Sequence, residues 1–459
     1  MPRLTLGQRL RRARQAKGLT QEALGKPTLT KGFISLLEHD RAQPSVATLE
    51  WLSARLGQPV SYFLDGQDAV SDKMLAMLGS RGRGELSRRQ YEAARKVFTE
   101  LVRLAAGGRN EAVRIQAELG LGEALLGLRR LEEAGRHLTK ALRAGRTAGA
   151  APVECRALRG LGTVAYRRGQ FLQAMSLYKE ALRALPRLGG AEPQLAGEIH
   201  LYLGTTLGQT GHLDEAVEAY TQAREWFEGA QRPEQVGEAL MGLGNILSAG
   251  GELEGAQSLY ERARALFEQH EDLEAIARVR SSLGMVLMQA GRPREAVEHF
   301  QASLAISRRL ENGADECRAL AEMARCLFVC GDRAQAAEFA ERAVARSREV
   351  GRPDEGARAG IVLGVLAAER GDTEVAVGAM QEAAAQCRRS GMAVELVTIY
   401  RELARLAGRQ GHHEEAAAYH EQAFEALRAV RSTDTVAAIH LADPIGLRAK
   451  AVASPKQPR

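Results

Sequence analysis

The chain has 459 residues, 45% hydrophobic and 5% aromatic, with 63 Lys/Arg against 57 Asp/Glu. No apolar run approaches the ~18 residues a membrane span needs, and no signal-type apolar stretch opens the chain, so a cytoplasmic protein without a membrane partner is expected. Five scattered cysteines, none in a CxxC pair, argue against a disulfide framework.

The charge is uneven. Residues 1–66 hold ten Lys/Arg and five Asp/Glu, so they carry +5 of the net +6. A small basic domain on a near-neutral remainder suggests where a polyanion docks. In that domain Leu6, Leu10 and Ala13 form a helical stripe, and Gly18 stops the helix. Thr20 reads as the cap of a short second helix with Ala23 and Leu24 inward. Lys26-Pro27-Thr28 breaks it. Thr30 caps a third helix, Lys31 to His39, with Ile34 and Leu37 inward. Pro44-Ser45 restarts the chain into a fourth helix bearing Val46, Leu49, Leu52 and Leu56. Pro59 to Leu64 makes a fifth.

Five short helices, two of them joined by a tight turn, is the helix–turn–helix plan. Leu19-Thr20-Gln21-Glu22-Ala23-Leu24, Leu29-Thr30-Lys31-Gly32-Phe33-Ile34-Ser35 with Leu37-Glu38, and Pro44-Ser45 with Ala47-Thr48-Leu49 resemble the phage-repressor-type (XRE, Cro-like) helix–turn–helix family. The resemblance covers residues 4–66. The turn between Leu24 and Ile34 is one residue shorter than usual, and Gly25 stands where Ala is common. The resemblance implies a lambda-repressor-like DNA-binding domain over 1–66, its third helix in the major groove. Lys31 would donate to guanine, and Phe33 or Leu36 would pack on a thymine methyl. Gly32 and Leu36 occupy positions where relatives read bases through Gln or Arg, so more weight falls on phosphates and DNA shape. Ser35 also faces outward. Gln21, Lys26, Thr30 and Arg41 are candidate phosphate contacts. Arg14 and Glu38 match a pair that bridges helices one and three. Phe33 has a competing reading as a core aromatic.

Residues 67–115 read as a connector and a degenerate capping repeat. Gly79 to Gly84 carries three glycines in six residues, a poor helix interior, and is expected to connect. Yet Gly82 and Ala94 keep the register of the repeats beyond residue 116.

From 116 to 430 one motif is written eight times. A Gly or Ala is followed twelve positions later by Ala, and seven later usually by Ala: Gly162/Ala174/Ala181, Gly204/Ala216/Ala223, Gly244/Ala256/Ala263 and so on, 40 residues apart with one step of 42. A fixed period marks a solenoid. Small residues fall where two helices approach closely. Four residues after the first Ala an aromatic recurs (Tyr178, Tyr220, Tyr260, Phe300). Five before it a glycine turns one helix into the next, with Arg129 in its place in the first unit. These spacings resemble the tetratricopeptide repeat, here lengthened to 40. The fold class is therefore all-α: a five-helix domain, then a right-handed α-solenoid of eight to nine helical hairpins.

In such arrays the first helices line the inner, concave face. Its outward positions include Arg156, Arg159, Tyr166, Asn245, Arg278, Met285, Arg318, Arg325, Phe328, Arg358 and Arg405. Arginine beside Met and aromatics suits an acidic peptide or a C-terminal carboxylate. The Asn245 amide suits a peptide backbone. The bland alternative is that the arginines are paired on a solvated face. The joined plan resembles Rgg/PlcR/PrgX-type peptide-sensing regulators, which implies a regulatory peptide or protein effector, a homodimer and a double-stranded operator.

No P-loop, nucleophile elbow or HExxH motif is present, so no enzyme, cofactor or metal is expected. Cys326 and Cys330, four apart on one helix, lack further ligands and read as packing residues. The tail, 431–459, is expected to be mostly disordered, apart from a short helix Thr435–Leu441. Together these features indicate a sequence-specific transcriptional regulator. The alternative is an interaction scaffold whose helix–turn–helix is a docking module.

Overall fold

A computed structural model describes residues 4–58, 60–64, 68–106, 111–190 and 192–429. The 431–459 tail, with its expected helix, lies outside them. The described residues are helical, in two compact units, Met1–Gly190 and Ala191–Arg459.

The first unit opens with α1 (Leu6–Ala16), α2 (Gln21–Gly25), α3 (Lys31–Glu38), α4 (Val46–Leu56) and α5 (Val60–Leu64). Each of the first four starts on a side-chain cap. Thr5 accepts from the Gln8 backbone while the Gln8 side chain returns the bond. Thr20, Thr30 and Ser45 accept from Ala23, Phe33 and Thr48. Such caps contribute about 1 kcal/mol each by satisfying orphan N–H groups. Leu10, Leu24, Ile34, Leu37, Leu49 and Leu52 are fully buried between the five helices. Gly7 lets α1 touch the end of α3: a Cβ there would lie 2.5 Å from the Glu38 carbonyl oxygen.

Three hairpins complete this unit: α6 (Asp68–Ser87) with α7 (Tyr91–Ala106), α8 (Glu111–Gly127) with α9 (Leu131–Thr147), and α10 (Ala151–Arg167) with α11 (Phe171–Ala184). The expectation at Gly79–Gly84 is corrected, because α6 runs straight through it. Gly82 is buried against Phe98, where a Cβ would meet the ring at 2.6 Å. It is the small anchor of a true first hairpin, so packing overrides the propensity cost of ~1 kcal/mol. Arg129 adopts φ +60, and Arg89 φ +58, at the turn where the later hairpins use glycine. A 3₁₀ turn, Leu185–Leu188, follows α11 and contains Pro186. It falls within the single 42-residue step.

The second unit holds six hairpins: α12 (Pro193–Gln209) with α13 (Leu213–Gly229), α14 (Pro233–Ala249) with α15 (Leu253–Gln269), α16 (Leu273–Gln289) with α17 (Pro293–Arg309), α18 (Gly313–Cys330) with α19 (Arg333–Val350), α20 (Pro353–Arg370) with α21 (Thr373–Ser390), and α22 (Ala393–Arg409) with α23 (His413–Ala429). The anchor glycines seat the recurrent aromatics. A Cβ at Gly204, Gly244 or Gly284 would lie 3.0, 2.7 or 2.7 Å from the ring of Tyr220, Tyr260 or Phe300. Tyr220 also covers Gly242, at 2.2 Å from its would-be Cβ, so one ring spans two successive first helices. Burying such a ring contributes ~2–3 kcal/mol, more than the ~1 kcal/mol a helical glycine costs. Where the anchor is Ala324, the facing residue shrinks to Ala340, since a Cβ at the anchor leaves no notch for a ring. Both are fully buried.

Among the described residues no helix is long and apolar enough to cross a membrane.

Candidate DNA-reading and partner-binding surfaces

Behind α3 lies a carboxylate that ties three helices together. Arg14 donates to both Glu38 oxygens, Nε at 2.5 Å and Nη2 at 3.0 Å, and its Nη1 reaches the Leu19 carbonyl at 2.7 Å. The Gln21 amide donates to Glu38 Oε2 at 2.8 Å. Burial alone would raise the Glu38 pKa, but the hydrogen bonds from Arg14 and Gln21 outweigh it and hold the carboxyl below its ordinary value. This bracing fixes α2 and α3 relative to α1. It also engages the Gln21 side chain, which its place at the start of α2 would otherwise offer to a phosphate.

In front of it the α3 surface is open. Lys31 and Gly32 are exposed, and Leu36 is 45% exposed. Ser35 is half-buried. Phe33 is also half-buried and packs on the domain core, so its ring reads as the edge of that core. Thr30 spends its hydroxyl on the cap. Lys26 is exposed and pairs with Glu22 at 2.7 Å. Arg41 is exposed. The domain therefore offers a side-chain-poor helix face flanked by cations. Beside it, Arg81 of α6 pairs with Glu50 of α4, and Leu104 of α7 packs on the domain core.

The first helices of the hairpins carry the second set of candidates, taken here unit by unit. In the first unit Arg159 pairs with Glu123 at 3.1 Å. Tyr166 packs on Phe171, with centroids 5.5 Å apart, and Arg156 is half-buried. In the second unit the arginines are matched by acids. Arg278 pairs with Glu238 at 2.5 Å, Arg325 with Glu322 at 2.7 Å and Arg405 with Glu402 at 2.7 Å. The Glu355 side chain, 2% exposed, receives Arg358 at 3.0 Å and Arg318 at 3.4 Å. Arg358 reaches onward to Glu395 at 3.3 Å. Three of these bonds, Arg278 to Glu238, Arg318 to Glu355 and Arg358 to Glu395, join neighbouring first helices across 37 to 40 residues. The surface expected to be strongly cationic is thus largely self-neutralised, and at 36–41% side-chain exposure for Arg278, Arg318, Arg358 and Arg405 each such pair contributes only a fraction of a kcal/mol.

Phe328 is corrected as a partner contact. It is 3% exposed, with the Arg333 guanidinium 4.3 Å above its ring. Met285 is half-buried and lies 3.5 Å from Arg325 Nη2. The repeated tyrosines carry a feature that the anchor spacing does not reveal. The Tyr220 hydroxyl donates to Thr205 at 3.0 Å, and that of Tyr260 to Asn245 Oδ1 at 2.6 Å. Both acceptors directly follow an anchor glycine. Asn245 is exposed, and because Tyr260 occupies its oxygen, its NH2 is the group left to a ligand. Cys317, Cys326 and Cys387 are buried. Burial pushes the thiols of Cys317 and Cys387 up to about 12, which makes them packing groups rather than nucleophiles.

Known proteins resemble this chain in sequence and in fold. The immunity repressor protein of Bacillus phage phi105 is 31% identical over 90 residues, 19% of this chain and 62% of that protein, so the match spans less than two thirds of the repressor. Among solved structures, apo RapI superposes with a TM-score of 0.63 at 14% identity, over 78% of this chain and 98% of RapI. The apo quorum sensor NprR from B. thuringiensis gives 0.59 at 13%, over 78% and 99%. A Rap protein complexed with competence and sporulation factor gives 0.56 at 14%, over 78% and 98%. At such identities these likenesses speak for the fold. Tetratricopeptide-repeat patterns match residues 113–187, 195–269, 275–353 and 396–434. Since those segments together make up more than half of its length, the chain belongs to the tetratricopeptide-repeat family.

Proposed function

We propose that the chain is a DNA-binding transcriptional regulator whose repeat array receives a regulatory peptide or protein, and which acts as a homodimer on a two-fold operator. The observation that carries this reading is the α3 surface. A capped helix leaves Lys31, Gly32 and Leu36 in solvent while a buried Arg14–Glu38–Gln21 bridge holds it from behind. A helix kept rigid but uncovered is what major-groove reading requires. With one base-reading cation and apolar neighbours, discrimination falls partly on DNA shape, and Lys26 and Arg41 would supply phosphate contacts.

Peptide reception is supported by the likeness to NprR, a quorum sensor, and to a Rap protein complexed with a sporulation factor. In this chain the group best prepared for a peptide backbone is the Asn245 amide, oriented by Tyr260, beside Arg278, Met285 and Arg325. A ligand carboxylate entering there takes an arginine from Glu238 or Glu322, so its binding is an exchange of one partner for another.

The test is selection of genomic fragments by the full chain at near-physiological salt, beside Lys31→Glu. Enrichment of a few sites sharing an inverted repeat, lost in the variant, is the expected result. Recovery of the same unrelated fragments by both proteins would refute specific reading.

A further inference from the structure

The α9 helix carries a row that the other repeats lack. Arg136, Lys140 and Arg143 are exposed and spaced four and three apart, so they share one face over two turns, about 10 Å. At the matching positions the second helices α11 to α23 carry at most one base each. The row forms one wall of an open groove of about 790 Å³, lined by half-buried Leu161 and buried Val164 of α10 and on the far side by Leu177 and Gln173 of α11.

The charge of this groove is only partly cancelled. Its two acids are already engaged, Glu132 by Arg168 at 2.7 Å and Glu133 by Arg130 at 2.7 Å. The nearest acid to Lys140 is Glu118 at 3.9 Å, and Glu118 is held by His137 at 2.6 Å. Arg136 and Arg143 have no side-chain partner among the described residues. Cations beside the half-buried Leu161 and Leu177 do not suit a bare polyanion, which would leave both leucines wet. They suit a helix with acids on one flank and an apolar stripe below. We propose that this groove docks an acidic amphipathic helix of a partner protein, its carboxylates on Arg136, Lys140 and Arg143 and its apolar stripe on Leu161 and Leu177. The site is independent of the α3 surface and of the Asn245 face.

The test uses the full chain and a fluorescein-labelled 18-residue synthetic helix with leucines at i, i+3, i+4 and i+7 spacing and glutamates on one flank. Anisotropy should show saturable binding, weakened at least tenfold by R136E/K140E/R143E with unchanged helical circular dichroism. A peptide keeping the glutamates but carrying serine for leucine should bind at least tenfold more weakly. Absence of binding, an unaffected triple variant, or equal binding of the serine peptide would overturn the proposal. So would loss of affinity for a 20-base-pair duplex in the triple variant with peptide binding intact, which would assign the row to phosphates.

Discussion

Gly7→Ala adds one methyl group at the closest approach of α1 to α3. The new Cβ would stand 2.5 Å from the Glu38 carbonyl oxygen, 2.6 Å from the Leu37 oxygen and 2.7 Å from the Glu38 carbonyl carbon. All three are backbone atoms, so no rotamer change relieves the overlap, and the helices must part by roughly 0.9 Å to reach ordinary contact. Overpacking of this kind costs about 1–3 kcal/mol. Alanine's helix preference returns less than 1 kcal/mol, because position 7 lies in the first turn. The net loss is about 1–2 kcal/mol in a five-helix domain whose whole stability is on the order of 5 kcal/mol. Trp51 reports on this domain, and in a Trp226→Phe background it is the sole tryptophan. The fluorescence melt should fall by roughly 4–15 °C, and operator affinity should fall as the Arg14–Glu38 bridge is displaced. The same substitution at Gly378, inside α21 with nothing within 4 Å of its would-be Cβ, should instead stabilise the second unit by ~0.5–1 kcal/mol. A Gly7→Ala protein that melts at or above the wild type would refute the reasoning.

Arg129→Gly relieves a left-handed residue at φ +60 and should raise stability against urea by about 0.5–1 kcal/mol; an unchanged midpoint would count against strain there. Glu355→Gln removes the buried charge and one of the two oxygens that receive Arg318 and Arg358 and should cost about 1 kcal/mol after discounting for the arginines' partial exposure, read as the urea midpoint of the second unit. Because the folded-state pKa of Glu38 is lowered, its contribution is fully present above the ordinary carboxylate range and is lost as pH falls through the lowered value. The Trp51 transition should therefore weaken on acidification in the wild type and less so in Glu38→Gln, and parallel titrations of the two would contradict the assignment.

Much of this architecture is legible in residue order because its causes are local. The caps at Thr20, Thr30 and Ser45 act within three residues, and the Gly/Ala register records helix contacts that recur every 40. Arg129 can be read as a turn residue because its counterparts at that position are glycines. The failures have equally definite causes. Gly79–Gly84 reads as a break until Phe98 is known to occupy the notch at Gly82. The arginine face looks cationic because several of its acids sit 37 to 40 residues away on the adjoining helix, outside any i, i+4 window. Phe328 looks outward by helical phase alone, yet the turn beyond it brings Arg333 over the ring. The engagement of Gln21 by Glu38 joins positions 17 apart, and nothing in the spacing announces it.

The rings that span two glycines set a rule for how this chain can change length. Tyr220 seals its own hairpin at Gly204 and the next first helix at Gly242, so neither notch can move without the other. Removing a few residues between a notch and its ring would aim that ring at a Cβ instead of the notch. Excising one complete period, Gly244 through Leu283, brings Gly284 to the place of Gly244 and Phe300 to that of Tyr260. The array therefore changes length most simply in whole periods of 40 residues, and the one 42-residue step places its extra residues near the Leu185–Leu188 turn between hairpins, where no ring meets a notch.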